Sequence, residues 1–121
     1  MLSARHRLCT ARDFQLAVRK GRRAGGPLVV AHLAKPYVDK ETSRSVPADP
    51  ARVGFVVSRA VGNAVTRNRV KRRLRHLMRA RVTALPEGAL LVVRAQPAAA
   101  LASYRDLGEA LDRCLVRVVE S

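Results

Sequence analysis

Apolar residues at helical spacing predict three helices in this chain. The first covers 11–20, with Thr10 as a candidate N-cap and Gly21 as the stop. The second covers 63–81, and the third begins after Ser103, whose hydroxyl is suited to capping a helix. Each has apolar residues on one side and polar residues on the other, so we expect each helix to pack one face on a core.

Runs of β-branched and aliphatic residues predict the strands. Three runs of strand length occupy 28–34, 52–58 and 89–95, and a very short additional strand fits 22–26. The stretch 35–50 has three prolines among acidic and hydroxyl residues and shows no periodicity, which predicts a mobile loop. A length of 121 residues suits one domain rather than two, and we expect the whole chain, 1–121, to form it.

The second predicted helix has two different faces. At about 100° per residue, one stripe is apolar; it contains Val70, Leu74, Leu77 and Met78. The opposite face is polar and basic; it contains Asn68, Lys71, Arg72, Arg75 and Arg79. Three apolar residues near the start of the helix lie off the stripe; they are Val61, Ala64 and Val65. We therefore expect a bend or a distinct contact there.

The net charge of +15 is large for a chain of this length. Such a charge repels itself unless a polyanion neutralises it, and nucleic acid is the simplest such partner. The charge is uneven, because residues 1–81 contain 20 of the Lys and Arg residues and only 4 acids. One part of the molecule is therefore predicted to carry the nucleic-acid footprint.

The segment 52–81 is the centre of that footprint. Residues 51–85 contain ten Arg or Lys residues and no Asp or Glu. A solvated helix usually alternates acids with bases for stability, and here like charges four residues apart repel each other. A helix with a merely basic solvent face is the alternative, but the missing acids favour contact with phosphates.

Other residue types give little sign of catalysis or metal binding by the protein. Cys9 and Cys114 have no metal-ligand spacing, and we expect two reduced thiols. No His-His or His-Glu pair has the spacing of a metal site or an acid-base couple. No signal peptide and no run of 18 apolar residues is present, so the expected location is the cytoplasm, without a membrane partner.

The residues from Val53 to Arg75 also form a recognisable string, VGFVVSRAVGNAVTRNRVKRRLR, with Arg67-Asn68-Arg69 at its centre. It closely resembles the signature of the bacterial ribonuclease P protein family. The similarity extends to 12–14 in the first predicted helix and to 90–97 in the last predicted strand, and so covers nearly the whole chain. An ungapped match of this length is highly specific, whereas an RNR triplet alone would mean little in an Arg-rich protein.

The resemblance implies an α+β fold, a two-layer sandwich of order αβββαβα whose four-stranded sheet contains a left-handed βαβ crossover. It also implies a division of labour in which a catalytic RNA with bound Mg²⁺ cleaves the 5′ leader from precursor tRNA, while the protein assists. The implied partners are the ribonuclease P RNA subunit and precursor tRNA, with no obligate protein partner. Residues expected to contact the RNA subunit are Arg59, Asn63, Arg67, Asn68, Arg69, Lys71, Arg72 and Arg75.

A second surface implied by the resemblance is a cleft for the single-stranded leader, between the first helix and the sheet. The residues expected to line it are Arg12, Phe14, Val18, Val30 and His32. Strand alternation places Val30 and His32 on one face of their strand. Many family members have aromatic residues where this chain has Val18 and His32, so we expect a weaker stacking platform, with His32 stacking instead. For Phe14, the alternative to contact with the leader is that it is an ordinary aromatic residue of the core.

Two other function classes compete with this interpretation. A nuclease whose protein groups catalyse the reaction would need an acid and a base, but the 35 residues around the basic helix contain His76 and no carboxylate. A structural RNA-binding or DNA-binding protein, for instance of ribosomal type, fits the charge but does not account for Gly62-Asn63 followed by Arg67-Asn68-Arg69. Co-purification with ribosomes would favour it.

Overall fold

Four strands form one sheet in the computed structural model, which describes residues 18–19, 21–34, 51–86 and 88–120. The strands are β1 (Arg22–Gly25), β2 (Val29–Ala34), β3 (Arg52–Val56) and β4 (Leu90–Ala95). Their order in the sheet is β1-β2-β4-β3. β2 pairs antiparallel with both β1 and β4, whereas β3 and β4 are parallel.

Two long helices lie in the described part of the chain, α1 (Ala64–Arg79) and α2 (Tyr104–Glu120). Since parallel neighbours cannot be joined by a tight turn, the connection from β3 to β4 crosses over through α1. This βαβ unit beside an antiparallel pair confirms the predicted α+β class with a four-stranded sheet.

The strands and helices lie close to their predicted positions. The very short first strand is present as β1, and Ser103 caps α2 as expected, its Oγ accepting from the Asp106 N–H at 3.0 Å. β3 ends at Val56, two residues before the predicted end. Val18 and Arg19 are helical, but the rest of the first predicted helix and the loop at 35–50 lie outside the described residues.

Both helices pack on one face of the sheet, because alternate strand residues point to that side. Val29, Ala31 and Leu33 of β2 are at most 1% exposed and belong to the main core, together with Leu91 and Val93 of β4. α2 contacts β1 and β2, whereas α1 contacts β3 and α2. The predicted stripe of α1 is buried in this core; it consists of Val70, Leu74, Leu77 and Met78. The apolar face of α2 is buried there too; it consists of Leu107, Leu111, Leu115 and Val118.

The other face of the sheet has a different composition. Ala34 and Val92 form a small second cluster there, with Val56 and Leu90 packed against it. His32 lies on this face too, because it alternates with the core residues of β2. Thus the sheet separates a helix-covered core from a second surface that contains the one buried polar residue, His32, among the described residues.

The start of α1 shows how the off-stripe residues are accommodated. A 3-10 turn, Arg59–Val61, buries Val61 in the main core and contacts a second 3-10 turn, Pro97–Ala100. Gly62 then has φ of 156°, and an added Cβ would lie 3.0 Å from Thr66 Cγ2, so only glycine fits without strain. The prediction of a distinct contact is confirmed for Val61 and wrong for Ala64 and Val65, which are both exposed, Val65 to 76%.

Candidate RNA-binding surfaces

The N-terminus of α1 is fixed by Asn63. Its backbone is extended, and its Oδ1 accepts a hydrogen bond from the Thr66 N–H at 2.9 Å. This is the standard N-cap interaction, which satisfies one of the free N–H groups of the first turn. Asn63 was predicted only to contact RNA, and the structure gives it this structural role as well. The exposed amide nitrogen is not used in that bond.

The cations of α1 divide into two flanks. Arg69 and Arg73 lie one turn apart on the side that faces the 3-10 turn Pro97–Ala100. Arg69 Nη2 donates a hydrogen bond to the Ala100 carbonyl at 3.0 Å. Arg73 Nη1 donates one to the Ala102 carbonyl at 3.2 Å. Both side chains therefore tie the helix to the rest of the fold. Arg69 remains exposed, and a guanidinium has five N–H donors, so Arg69 keeps donors for RNA.

Arg67, Lys71 and Arg75 follow each other at intervals of four residues on the opposite flank, and all three are half-buried. Arg67 Nε is buried and has no hydrogen-bond partner among the described residues. A buried unpaired donor costs about 1–3 kcal/mol, and more when the group is charged. An incoming phosphate oxygen would remove that cost.

The outer face of α1 joins the two flanks into one surface. Asn68, Arg72 and Arg79 are exposed there, and Arg59 is exposed in the preceding 3-10 turn. We call the predicted RNA-contacting residues on this helix and its start the α1 surface; they are Arg59, Asn63, Arg67, Asn68, Arg69, Lys71, Arg72 and Arg75. α1 itself contains no acidic residue, so nothing on the helix competes with phosphate for these cations.

Arg81 marks the end of the basic segment but is engaged elsewhere. Its guanidinium forms a two-point ion pair with Asp112 of α2, with Nη2 3.1 Å from Oδ2, and Nη1 donates to the Leu77 carbonyl at 2.7 Å. The hydrogen bonds from Arg81 lower the pKa of Asp112, and burial opposes that shift. At the C-terminal end of the expected footprint 52–81, Arg81 therefore has a structural role, because it secures the end of the α1 segment to α2.

On the other face of the sheet, a cavity of about 340 Å³ brings together three of the predicted leader residues, Val18, Val30 and His32. We call this cavity the sheet cleft. Its lining comprises Val18, Arg23, Val30, His32, Arg94 and Gln96. The other two predicted leader residues, Arg12 and Phe14, lie outside the described residues.

His32 is the chemically unusual residue of the sheet cleft. It is only 6% exposed, and its Nδ1 has no hydrogen-bond partner among the described residues. Burial, followed by the positive charges of Arg94 and Arg23, lowers the pKa of His32 from its usual value of 6.5. The imidazole is therefore neutral at physiological pH, with one nitrogen as a donor and the other as an acceptor.

The sequence did not single out Arg23, Arg94 and Gln96. In the sheet, Arg23 pairs with His32 across β1 and β2, and Arg94 pairs with Val30 across β2 and β4. Directly opposite residues point to the same face, so both guanidinium groups belong to the cleft. One local signal was present, since Arg94 interrupts an otherwise aliphatic strand. Its neighbours in space depend on the strand order, which local patterns do not give.

The described residues contain no helix long and apolar enough to cross a membrane. They also contain no cluster of three or more His, Cys, Asp or Glu side chains that could hold a metal ion. The chemistry available on the two surfaces is thus that of guanidinium, ammonium, amide and imidazole groups.

Comparisons with known proteins agree with these features. A sequence model of the family described as Ribonuclease P matches residues 2–119. The ribonuclease P protein component of a Nocardioides species is 57% identical over 118 residues, which span 98% of this chain and 95% of that protein. That of Streptomyces avermitilis is 53% identical over 119 residues, spanning 98% and 96%.

Solved structures give the same result. The RNase P protein of Staphylococcus aureus superposes with a TM-score of 0.76 at 25% identity, over 94% of this chain and 97% of that one. The RNase P protein of Thermotoga maritima gives 0.73 at 27% identity, over 93% and 96%. The predicted family is confirmed: the chain belongs to the ribonuclease P protein family, and its role is that of the protein subunit of this endoribonuclease.

Proposed function

We propose that the chain binds the RNA subunit of ribonuclease P through the α1 surface and holds the 5′ leader of precursor tRNA in the sheet cleft. By doing so it promotes endonucleolytic removal of the leader, which produces the mature 5′ end of the tRNA. We infer that it does so in the cytoplasm. The observation that carries the proposal is the acid-free α1 surface on the layer opposite to the sheet cleft, which gives the protein two separate sites for RNA.

The α1 surface is suited to a folded RNA rather than to one base sequence. Its cations are spread along a helix of 16 residues, about 24 Å long at 1.5 Å per residue. That span matches a series of backbone phosphates, each of which releases counterions when an Arg or Lys neutralises it. We therefore expect the affinity for the RNA subunit to fall steeply with salt concentration.

The sheet cleft is suited to a flexible single strand. It is concave, and the described part of its lining is apolar at Val18 and Val30 and cationic at Arg23 and Arg94. The valines can pack against any base, and the guanidinium groups can bind the phosphates that every nucleotide carries. Tolerance of leader sequence is what a subunit that processes many precursors requires.

The described residues do not fit a resident magnesium site. Magnesium prefers carboxylate and phosphate oxygens, whereas α1 presents cations and contains no carboxylate. We assign the magnesium ions and the hydrolytic step to the catalytic RNA. The part played by this chain is to hold the two RNA molecules in position, which lowers the entropic cost of bringing the scissile bond to the catalytic site.

Reconstitution tests this function directly. The chain is mixed with a bacterial ribonuclease P RNA and a 5′-labelled precursor tRNA at low Mg²⁺, and leader release is measured with and without the protein. We expect the protein to accelerate release and the protein alone to release nothing. Absence of stimulation across a range of salt concentrations would contradict the proposal.

A matched variant distinguishes this role from nonspecific charge. Arg105 lies on α2 with its side chain 86% exposed and pairs with Glu109 at 3.3 Å; it belongs neither to the α1 surface nor to the lining of the sheet cleft. Arg105→Gln removes the same charge as Arg72→Gln does on the α1 surface. We expect Arg72→Gln to weaken holoenzyme assembly and Arg105→Gln to leave it unchanged. Equal losses would indicate a merely basic protein, and binding to ribosomes in preference to the catalytic RNA would favour the structural class.

A further inference from the structure

Two arginines approach His32 from strands on opposite sides of β2. Arg23 comes from β1, where it is the direct partner of His32, and Arg94 comes from β4, where it is the direct partner of Val30. All three side chains line the same cavity. The strand order β1-β2-β4 is what brings them together, since the two arginines are 71 positions apart in the sequence.

The positive charge of this group is not compensated within the described residues. The cleft lining contains Arg23 and Arg94 but no acidic residue, and neither arginine forms a salt bridge in the described part of the chain. Like charges on one small surface repel each other, and their repulsion is relieved when an anion lies between them. The guanidinium fork matches a phosphate, to which it can donate two parallel hydrogen bonds.

The described part of this lining offers little for base stacking. Among the described lining residues, His32 has the only aromatic ring, and at 6% exposure that ring is nearly covered. Stacking requires an exposed ring face, and the expectation that His32 provides one is not supported by this burial. The unpaired His32 Nδ1 can instead form a hydrogen bond with a ligand that reaches the base of the cleft.

We propose that Arg23 and Arg94 clamp a backbone phosphodiester of the leader above His32, so that the described part of the sheet cleft binds the leader by charge. This proposal rests on the proposed function. The arginines supply the charge, and His32 supplies one hydrogen bond at the floor of the site. Arg23 and Arg94 thereby determine how this subunit distinguishes precursor from mature tRNA.

The experiment uses the reconstituted holoenzyme and measures the dissociation constants of precursor and mature tRNA. We expect Arg23→Gln with Arg94→Gln to weaken precursor binding about tenfold while mature tRNA binding is unchanged, because charge-assisted hydrogen bonds to one phosphate are lost. If Arg94→Lys replaces Arg94→Gln in the double variant, part of the lost precursor affinity should be recovered. Arg105→Gln, which removes one exposed charge on the opposite layer of the fold, should have no effect.

Modified leaders separate phosphate recognition from base recognition. A neutral methylphosphonate placed at each leader linkage in turn should weaken binding at one linkage for the wild-type protein and at none for the double variant. Abasic leader nucleotides should have smaller effects. If abasic positions cost more than neutral linkages and the double variant binds like wild type, the clamp is wrong. If the wild-type holoenzyme does not prefer precursor over mature tRNA at all, the proposed function itself fails.

Discussion

The α1 surface and the sheet cleft are both cationic, but they are built in different ways. The α1 surface is convex and comes from one continuous helix, so the positions of its cations follow from helical periodicity alone. The sheet cleft is concave, and its two arginines come from β1 and β4, the strands on either side of β2. On the α1 surface each of many charges supplies a small part of the affinity, whereas a surface assembled from three strands depends on each residue that reaches it.

The two surfaces also share one feature. Each contains a buried nitrogen with no hydrogen-bond partner among the described residues, Arg67 Nε on the α1 surface and His32 Nδ1 in the sheet cleft. Such atoms are rare in folded proteins because they are costly. Each atom lowers the stability of the free protein, and a ligand that pairs with it at the proposed RNA site would offset that cost.

The largest expected effect comes from removing one flank of the α1 surface. Arg67→Gln, Lys71→Gln and Arg75→Gln together should weaken RNA-subunit binding about 10²-fold, because each lost cation removes released counterions. The slope of log affinity against log salt should become shallower by about two to three. Filter binding over a series of salt concentrations measures both quantities. An unchanged slope would show that this flank does not face RNA.

A matched pair on the other flank sharpens that result. Arg69→Gln with Arg73→Gln removes two hydrogen bonds to the carbonyls of Ala100 and Ala102. We expect this variant to lower the free energy of unfolding more than the triple variant at Arg67, Lys71 and Arg75 does. It should change the slope of log affinity against log salt less. The opposite pattern would show that the structural role belongs to the flank of Arg67, Lys71 and Arg75 and the RNA-binding role to the flank of Arg69 and Arg73.

A smaller effect is expected at the start of α1. Gly62→Ala places a Cβ at a φ of 156° and 3.0 Å from Thr66 Cγ2. It should lower the free energy of unfolding by about 1–3 kcal/mol, the usual cost of a strained backbone conformation. Gly26→Ala is the control, since its added Cβ meets no atom closer than 3.6 Å. Denaturant titration of both variants measures the difference, and equal stabilities would remove the argument for strain.

The smallest expected effect concerns pH and tests only the sheet cleft. The pKa of His32 is lowered, so the imidazole is neutral in the free protein, and a bound phosphate would favour the protonated form. Leader binding should therefore take up a proton, and the preference for precursor over mature tRNA should increase a few-fold as pH falls from about 8 to about 6. Binding, not cleavage, is measured here. His32→Gln should flatten this pH dependence. If the variant keeps the pH dependence of the wild type, His32 is not the group that takes up the proton.

The sequence predicted the parts of this molecule that depend on local pattern. The apolar stripe of α1, the capping of α2 by Ser103 and the short β1 strand were all predicted correctly, because capping and periodicity act over a few residues. The positions of the α1 cations followed from the same periodicity. The sequence did not show that Arg69 and Arg73 are hydrogen-bonded to the rest of the fold, because their partners lie in and just after the distant 3-10 turn Pro97–Ala100.

The composition of the sheet cleft was only partly predictable. Val30 and His32 were assigned to one strand face by alternation, and the structure brings them together with Val18. Arg23 and Arg94 were missed, because their closeness depends on the order β1-β2-β4 and on the strand register. The exposed Val65 was also misjudged, since the 3-10 turn before α1 buries Val61 and directs Val65 outward.

The division of labour between the two surfaces is the central claim, and one comparison tests it most directly. The α1 variant with Arg67→Gln, Lys71→Gln and Arg75→Gln and the cleft variant with Arg23→Gln and Arg94→Gln are each assayed for affinity to the RNA subunit and for the precursor-to-mature binding ratio of the holoenzyme. The α1 variant should lose affinity for the RNA subunit and, at saturating protein, keep the precursor-to-mature binding ratio. The cleft variant should do the reverse. Equal losses of both quantities in both variants would contradict the account.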